Sequence, residues 1–228
     1  MAATIRVGLL FGSKLIGEGR RILLETQPDF DIVYQESNGL TAISSLASTS
    51  VDVVLVDNRL NGISGTELIQ RFFRRHFTPG VKLPAFVLTG PFSAMDISLQ
   101  AVRCGAADLV TEEDSPQAII DAVRAAAGPE PQIDFETMRV AFESAGVSSG
   151  SNQRWLLRLS ELEPVERQVF DVIASGEPLD DIEDLTGLSD LKVRGALDSM
   201  QARLGLATRS QFALALHEAG LLQARQNS

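Results

Sequence analysis

One carboxylate stands where phosphoryl chemistry is expected. Residues 51–65, VDVVLVDNRLNGISG, place Asp57 at the end of an apolar strand, just before a glycine-bearing turn. A carboxylate in that position suits magnesium-dependent phosphorylation. Such transfer needs cations to neutralise the charge developing on the transferred oxygens. The strand in IRVGLLFGSK should end beside Asp57, and it brings Phe11 and Gly12 with no acid. Thr89 offers a hydroxyl at the same edge. The frame of such a site is present, while most of its chemistry is missing.

Alternating strands and amphipathic helices must position these groups. Strands are expected at 4–11, 30–35, 52–57, 84–89 and 106–110, with helices near 14–27, 38–48, 64–77, 92–104 and 115–127. The run DVVLVD is almost continuously apolar, as a central parallel strand covered on both faces should be. Five βα units of this spacing imply an α/β fold, a five-stranded, doubly wound parallel sheet. Ligands gather at the carboxyl ends of such strands, which places Phe11, Asp57, Thr89 and the Thr111–Glu112 loop together. Gly62 and Gly65 permit turn conformations that larger residues resist. RFFRRHF at 71–77 should pair core aromatics with a basic, solvated face.

The pattern changes after residue 128. GPEP stops the preceding helix, IDFETMRVAFESA suits a short amphipathic helix, and GVSSGSNQ reads as linker. From Trp155 the pattern is purely helical, with turns at Gly176–Pro178, Gly187 and Gly205. The expected organisation is an α/β domain over 1–128, a linker over 129–154 and a small all-α domain over 155–228.

Composition narrows the function classes. The 228 residues are 44% hydrophobic with a mean hydropathy of +0.08, which suits soluble, core-forming domains. No apolar run approaches the roughly 18–20 residues of a membrane-spanning helix, and no membrane partner is expected. The N-terminus has no clear signal-peptide architecture and reads as a strand, so a cytoplasmic protein is expected. A single cysteine, Cys104, excludes an internal disulfide framework. With only His76 and His217 beside it, a zinc site is not expected. The net charge of −10 argues against indiscriminate nucleic-acid binding, though not against binding through a local patch.

Together, the order of elements, the D-x-R-x-x-G-x-x-G turn at 57–65, Thr89 and the GAADLV strand at 105–110 resemble the receiver domain of bacterial response regulators. The resemblance covers 4–127. Residues 156–222 resemble the LuxR-type helix-turn-helix domain, and the whole is similar to the NarL/FixJ family of response-regulator transcription factors. The resemblance implies a flavodoxin-like receiver in which Asp57 matches the phosphoacceptor and Thr89 the phosphate-binding hydroxyl. The family's metal-binding acid pair falls on Phe11 and Gly12, its lysine on Glu112, and its aromatic switch position on Leu109. Magnesium would have Asp57 as its only nearby carboxylate, and Glu112 would repel phosphate. Losing that charge stabilisation slows transfer by orders of magnitude. Phosphorylation-independent regulation is therefore expected, with no metal, no cofactor and no enzymatic activity. Lys14 either swings its ammonium towards Asp57 or stays a solvated residue at a helix start. Asp57 itself is either live or a vestigial strand-end carboxylate.

LSELEPVERQVFDVIASG resembles the opening of the family's DNA-binding segment, and DDIEDLTGLSDLKVRGALDSMQARLGLATRSQFA resembles its helix pair and its last, dimerising helix. Ile182, Leu188, Val193, Leu197 and Leu204 recur at helical spacing as a small core. Ser189 is placed to cap the recognition helix, and Gly205 to end it. By the resemblance, Lys192, Arg194 and Gly195 face DNA from that helix, while Arg203, Thr208 and Arg209 match backbone contacts. The null for each cation is a surface charge paired with an acid, Arg203 above all. Asp198 holds a commonly basic position. Residues 154–228 carry 8 Lys/Arg against 12 Asp/Glu, a net of −4. The apolar stripe Phe212, Leu214, Leu216 and Leu221 is expected to serve core and homodimer surface. The expected partners are DNA, a second copy, and a protein or small-molecule signal at the receiver. The rival expectation is an interaction protein whose acidic helix-turn-helix no longer binds DNA.

Overall fold

The computed structural model describes residues 4–76, 81–90, 101–112, 114–128, 161–175 and 181–221. They divide into two compact units, one built on a sheet and one on helices. The short helix and linker expected between them lie outside the described residues, as does most of the helix expected at 92–104.

The first unit contains β1 (Ile5–Leu10), α1 (Lys14–Glu25), β2 (Phe30–Glu36), α2 (Gly39–Leu46), β3 (Val53–Asp57), α3 (Gly65–His76), β4 (Ala85–Gly90), β5 (Asp108–Thr111) and α4 (Pro116–Ala127). All strand pairs are parallel, in the order β2-β1-β3-β4-β5. All five residues of β3 are buried. That explains the unbroken apolar run, because a central strand has no solvent face to alternate with. The register pairs Asp57 with Thr89, so the acid and the hydroxyl end neighbouring strands side by side.

Flanking helices close both faces of the sheet. On one side α4 packs with the β1 and β3 residues Val7, Leu9, Val53 and Leu55 through Ile119, Ile120 and Val123. Its start is fixed twice: Pro116 opens the first turn, and Ser115 Oγ accepts from the Ala118 amide at 3.2 Å. In α3, Phe72 and Phe73 are buried in edge-on contact with Phe86. Arg74 and Arg75 stay exposed, as the RFFRRHF pattern implies. Arg124 ties α4 to the β2 entry: its Nε donates to Asp29 Oδ2 at 2.8 Å, and its guanidinium lies 5.2 Å from the Phe30 ring centre.

The second unit contains α5 (Pro164–Ala174), α6 (Ile182–Thr186), α7 (Asp190–Leu204) and α8 (Arg209–Glu218). Val169, Phe170, Ile173, Ile182, Val193, Leu197, Met200 and Leu204 are buried. Of the five expected core residues Leu188 is half-buried and the rest are buried, and Val169, Phe170, Ile173 and Met200 join them. Gly187 ends α6 and Gly205 ends α7, both in the left-handed region at φ 68 and 71. The short turn between α6 and α7 is therefore set by backbone geometry that side-chain-bearing residues resist. In α8, Phe212, Leu214 and Leu216 are buried, in an unbroken buried run over 212–217, so these residues are core as expected.

Candidate functional site

At the carboxyl edge of the sheet, Asp57 is 3% exposed, with Phe11 and Thr89 buried beside it. Its Oδ1 accepts from the Arg59 amide at 2.9 Å and lies 3.6 Å from Arg59 Nε. The other end of the same guanidinium, Nη2, is bonded to Glu112 Oε1. One arginine thus bridges the end of β3 and the loop after β5. One positive charge serves two negative ones: the guanidinium lies between the buried carboxylate and the half-exposed one.

This arrangement decides one open alternative and corrects one expectation. The cation at Asp57 is Arg59, and Lys14 takes the solvated alternative. Lys14 is the exposed first residue of α1, and among the described residues it has no ion-pair partner. Glu112 is not an unopposed repulsive charge, because Arg59 holds it. Arg59 was visible in the D-x-R turn, but its spacing alone carried no sign that the side chain folds back over the strand end.

Gly12 has a steric role. A Cβ built on it would overlap the carbonyl oxygen of Arg59, and the next neighbour, Arg59 C, would be 3.3 Å away. The loop after β3 therefore rests directly on the residue after β1. Asn61 fixes it there: its side chain donates to Gly12 O at 3.3 Å, its amide to Ser37 O at 3.2 Å, and its carbonyl accepts from Gly39 at 2.9 Å. Gly62 takes φ 89, as the turn requires. Gly65 is needed for a different reason, since a Cβ there would come within 2.8 Å of Asp57 O.

These residues do not fit a magnesium ion. Octahedral magnesium takes one or two carboxylates with several waters. Here the two carboxylates, Asp57 and Glu112, both face a guanidinium, Phe11 offers no ligand and packs into the core, and the Arg59 carbonyl sits on Gly12. Thr111 is also committed, its hydroxyl and amide both donating to Asp114 Oδ2 at 2.9 and 2.6 Å. Those bonds hold the Asp114 carboxyl below its ordinary range. Leu109 is half-buried in β5.

On the second unit, α7 presents Leu191, Lys192, Arg194, Gly195 and Asp198 to solvent. Arg194 Nε donates to Asp190 Oδ1 at 2.8 Å, an exposed pair one turn apart. Lys192 has no ion-pair partner among the described residues. A Cβ on Gly195 would meet nothing within 4 Å, so this part of the helix is open. Ser189 occupies the expected N-cap position with extended backbone, and its hydroxyl makes no capping bond. Thr208 does cap α8, accepting from the Gln211 amide at 3.3 Å. The Arg209 side chain lies outside what is described.

Arg203 is not a free DNA contact. It points at Glu166, with Nη2 3.4 Å from Oε1 and 3.8 Å from Glu163 Oε1. Glu166 is 3% exposed. Burial raises its carboxyl, but Ser199 Oγ at 2.5 Å, the Glu163 amide at 2.7 Å and Arg203 outweigh that and hold it below its ordinary value. Sequence marked Glu166 only as a family position, whereas the structure makes it the polar joint between α5 and α7.

Residues 13–124 match the family model of the response regulator receiver domain. Across nearly its whole length the chain is similar to the transcriptional regulatory protein LiaR of Bacillus subtilis. The two are 25% identical over 93% of this chain and 97% of that protein. The chain is similar to response regulators of the NarL/FixJ family. The nitrate/nitrite response regulator protein NarL of Escherichia coli is 21% identical over 90% of this chain and 91% of its own length. Among solved structures, a LuxR-family two-component response regulator from Aurantimonas sp. SI85-9A1 superimposes on 55% of this chain and 86% of its own. Its TM-score is 0.50 at 23% identity, a likeness of fold. The receiver-like unit, then, ends neighbouring strands with Asp57 and Thr89, and an arginine bridge lies beside them.

Proposed function

We propose that this response regulator is a DNA-binding transcription regulator whose receiver works without phosphorylation of Asp57. The observation that carries the reading is the loop after β3, which seats the Arg59 carbonyl on Gly12 and the Arg59 guanidinium beside Asp57. A phosphoryl group arriving at Asp57 would need a cation on its oxygens. The cation at hand is already shared with Glu112, in the position where the family places a lysine. In this reading the receiver keeps one charge state, and its signal is a protein or small molecule, or constitutive dimerisation. The curated relatives described as transcriptional regulatory proteins support the output side.

The domain limits that go with this reading are a receiver over 1–128, a linker over 129–154 and a helix-turn-helix domain over 155–228. Lys192, Arg194 and Gly195 on α7, with Thr208 and Arg209 at the α8 start, would meet DNA, and a homodimer would span two half-sites about one helical turn apart. The test is incubation of the full chain with a small phosphodonor and magnesium, read by intact-mass spectrometry. No mass increment is expected. Stoichiometric addition of one phosphoryl group, lost in Asp57→Asn, would overturn the reading.

A second reading, an interaction protein that engages another regulator and no DNA, is favoured by one specific observation. Two of the cations matched to DNA contacts are held by acids, Arg194 by Asp190 and Arg203 by Glu166. Titration with genomic fragments at low and moderate salt separates the two. Sequence-selective retention, lost in Arg194→Ala, supports the DNA reading, and no retention at low salt supports the second.

A further inference from the structure

We infer that Asp198 is a base-reading residue that accepts a hydrogen bond from the amino group of a cytosine in the major groove. The inference rests on the DNA-binding reading above and adds to it a specificity element.

The buried stripe of α7 is Val193, Ala196, Leu197, Met200, Gln201 and Leu204. At 100° per residue, Leu191, Gly195 and Asp198 lie on the opposite, exposed side. Asp198 has no structural task there: among the described residues it makes no hydrogen bond and no ion pair. Its helical neighbour one turn back, Arg194, bonds in the other direction to Asp190 at 2.8 Å. The acid is thus left unpaired while a cation stands one turn away. Gly195, three residues before it, projects nothing, so the helix can lie close to whatever it faces.

An unpaired carboxylate on a DNA-facing side opposes binding to phosphates, and it is useful only to a hydrogen-bond donor. An ionised carboxylate accepts and never donates. The major groove offers two donors, the amino groups of cytosine N4 and adenine N6. Adenine sets its N7 acceptor beside N6, where its lone pair repels a carboxylate. Cytosine carries no acceptor on its own groove edge. The chemistry selects cytosine. The same acid lowers affinity for every other sequence, so discrimination comes from a penalty on wrong sites as well as a bond at the right one.

The test uses the full-length protein and a pool of duplexes with a randomised central stretch, selected at low salt. A selected duplex is then compared with the same duplex carrying thymine for cytosine at each selected position in turn. One position should show a preference of about tenfold for cytosine, the lower part of the range for a good base contact. Asp198→Asn, which can both donate and accept, should move that one preference to adenine and bind unrelated duplexes more tightly. Asp198→Ala should lose the preference without gaining adenine. If both variants bind all duplexes more tightly in the same proportion and keep the wild-type preferences, Asp198 is a bystander charge and the inference fails alone. If wild type and variants retain no duplex at low salt, the DNA reading fails and takes this inference with it.

Discussion

Gly12→Ala probes the seat of the receiver loop with the smallest possible perturbation. The new methyl would overlap a backbone carbonyl, that of Arg59, which cannot rotate away as a side chain would. Relief requires moving the loop by about 1 Å to an ordinary contact distance. That motion strains the ties that hold it: Asn61 to Gly12, Ser37 and Gly39, and the Arg59 amide to Asp57 at 2.9 Å. Overpacking of this kind costs about 1–3 kcal/mol. Taking about 2 kcal/mol and about 4 °C per kcal/mol for a domain of this size gives a fall near 8 °C in melting midpoint. Arg59→Ala is the control. It keeps the carbonyl on Gly12 and removes only a guanidinium that is 50% exposed, so it should cost less than about 1 kcal/mol. Scanning calorimetry of the full chain, following the transition of the sheet-bearing unit, measures both. A Gly12→Ala protein melting within about 1 °C of wild type would refute the packed loop, and with it the steric part of the case against a metal.

Three further outcomes are expected. Because Glu166 has its carboxyl held below the ordinary 4.5, its contribution is complete above that pH and is lost as pH falls through the folded value. Glu166→Gln should lose about 2 kcal/mol at pH 7, discounted for the partly exposed Arg203, and should flatten the acid limb, as read by hydrogen exchange of α5 and α7 amides. Cys104 is buried and its thiol is pushed up to about 11 by desolvation, so iodoacetamide at pH 8 should leave the native protein unmodified and label it fully in denaturant. Arg124→Ala should raise the Asp29 carboxyl towards its ordinary value, a shift followed by carboxyl NMR titration, because Arg124 is the main cause of its depression.

The parallel sheet was legible because its signal is collective. A five-residue strand buried on both faces has to be almost continuously apolar, and VVLVD is, save for Asp57 at its end. Strand ends were less so: β5 begins at Asp108, two residues later than expected, because Gly105 at φ 90 is still turning the chain there. That Asp57 and Thr89 share one edge follows from a parallel sheet, whereas their side-by-side pairing is set by the observed strand order. Arg59 did not, because its partner Glu112 lies 53 residues away and no local period links them. Lys14 was a reasonable candidate by proximity in the chain, but opening α1 leaves its side chain exposed. In sequence Arg203 is a surface charge paired with an acid, and its pairing with a buried acid instead depends on the packing of α5 against α7. Ser189 took the predicted place in the backbone without the predicted bond, which position in sequence cannot distinguish.

The guanidinium beside Asp57 is part of the polypeptide, and this has a consequence for how the protein responds to its surroundings. A tethered counter-ion is present at a fixed effective concentration however dilute the solution. Chelators do not strip it, competing cations do not exchange with it, and no phosphatase removes it. Fluctuations in divalent ion supply therefore leave the neighbourhood of Asp57 untouched. On the phosphorylation-independent reading proposed above, output varies with the number of molecules and with what docks on them.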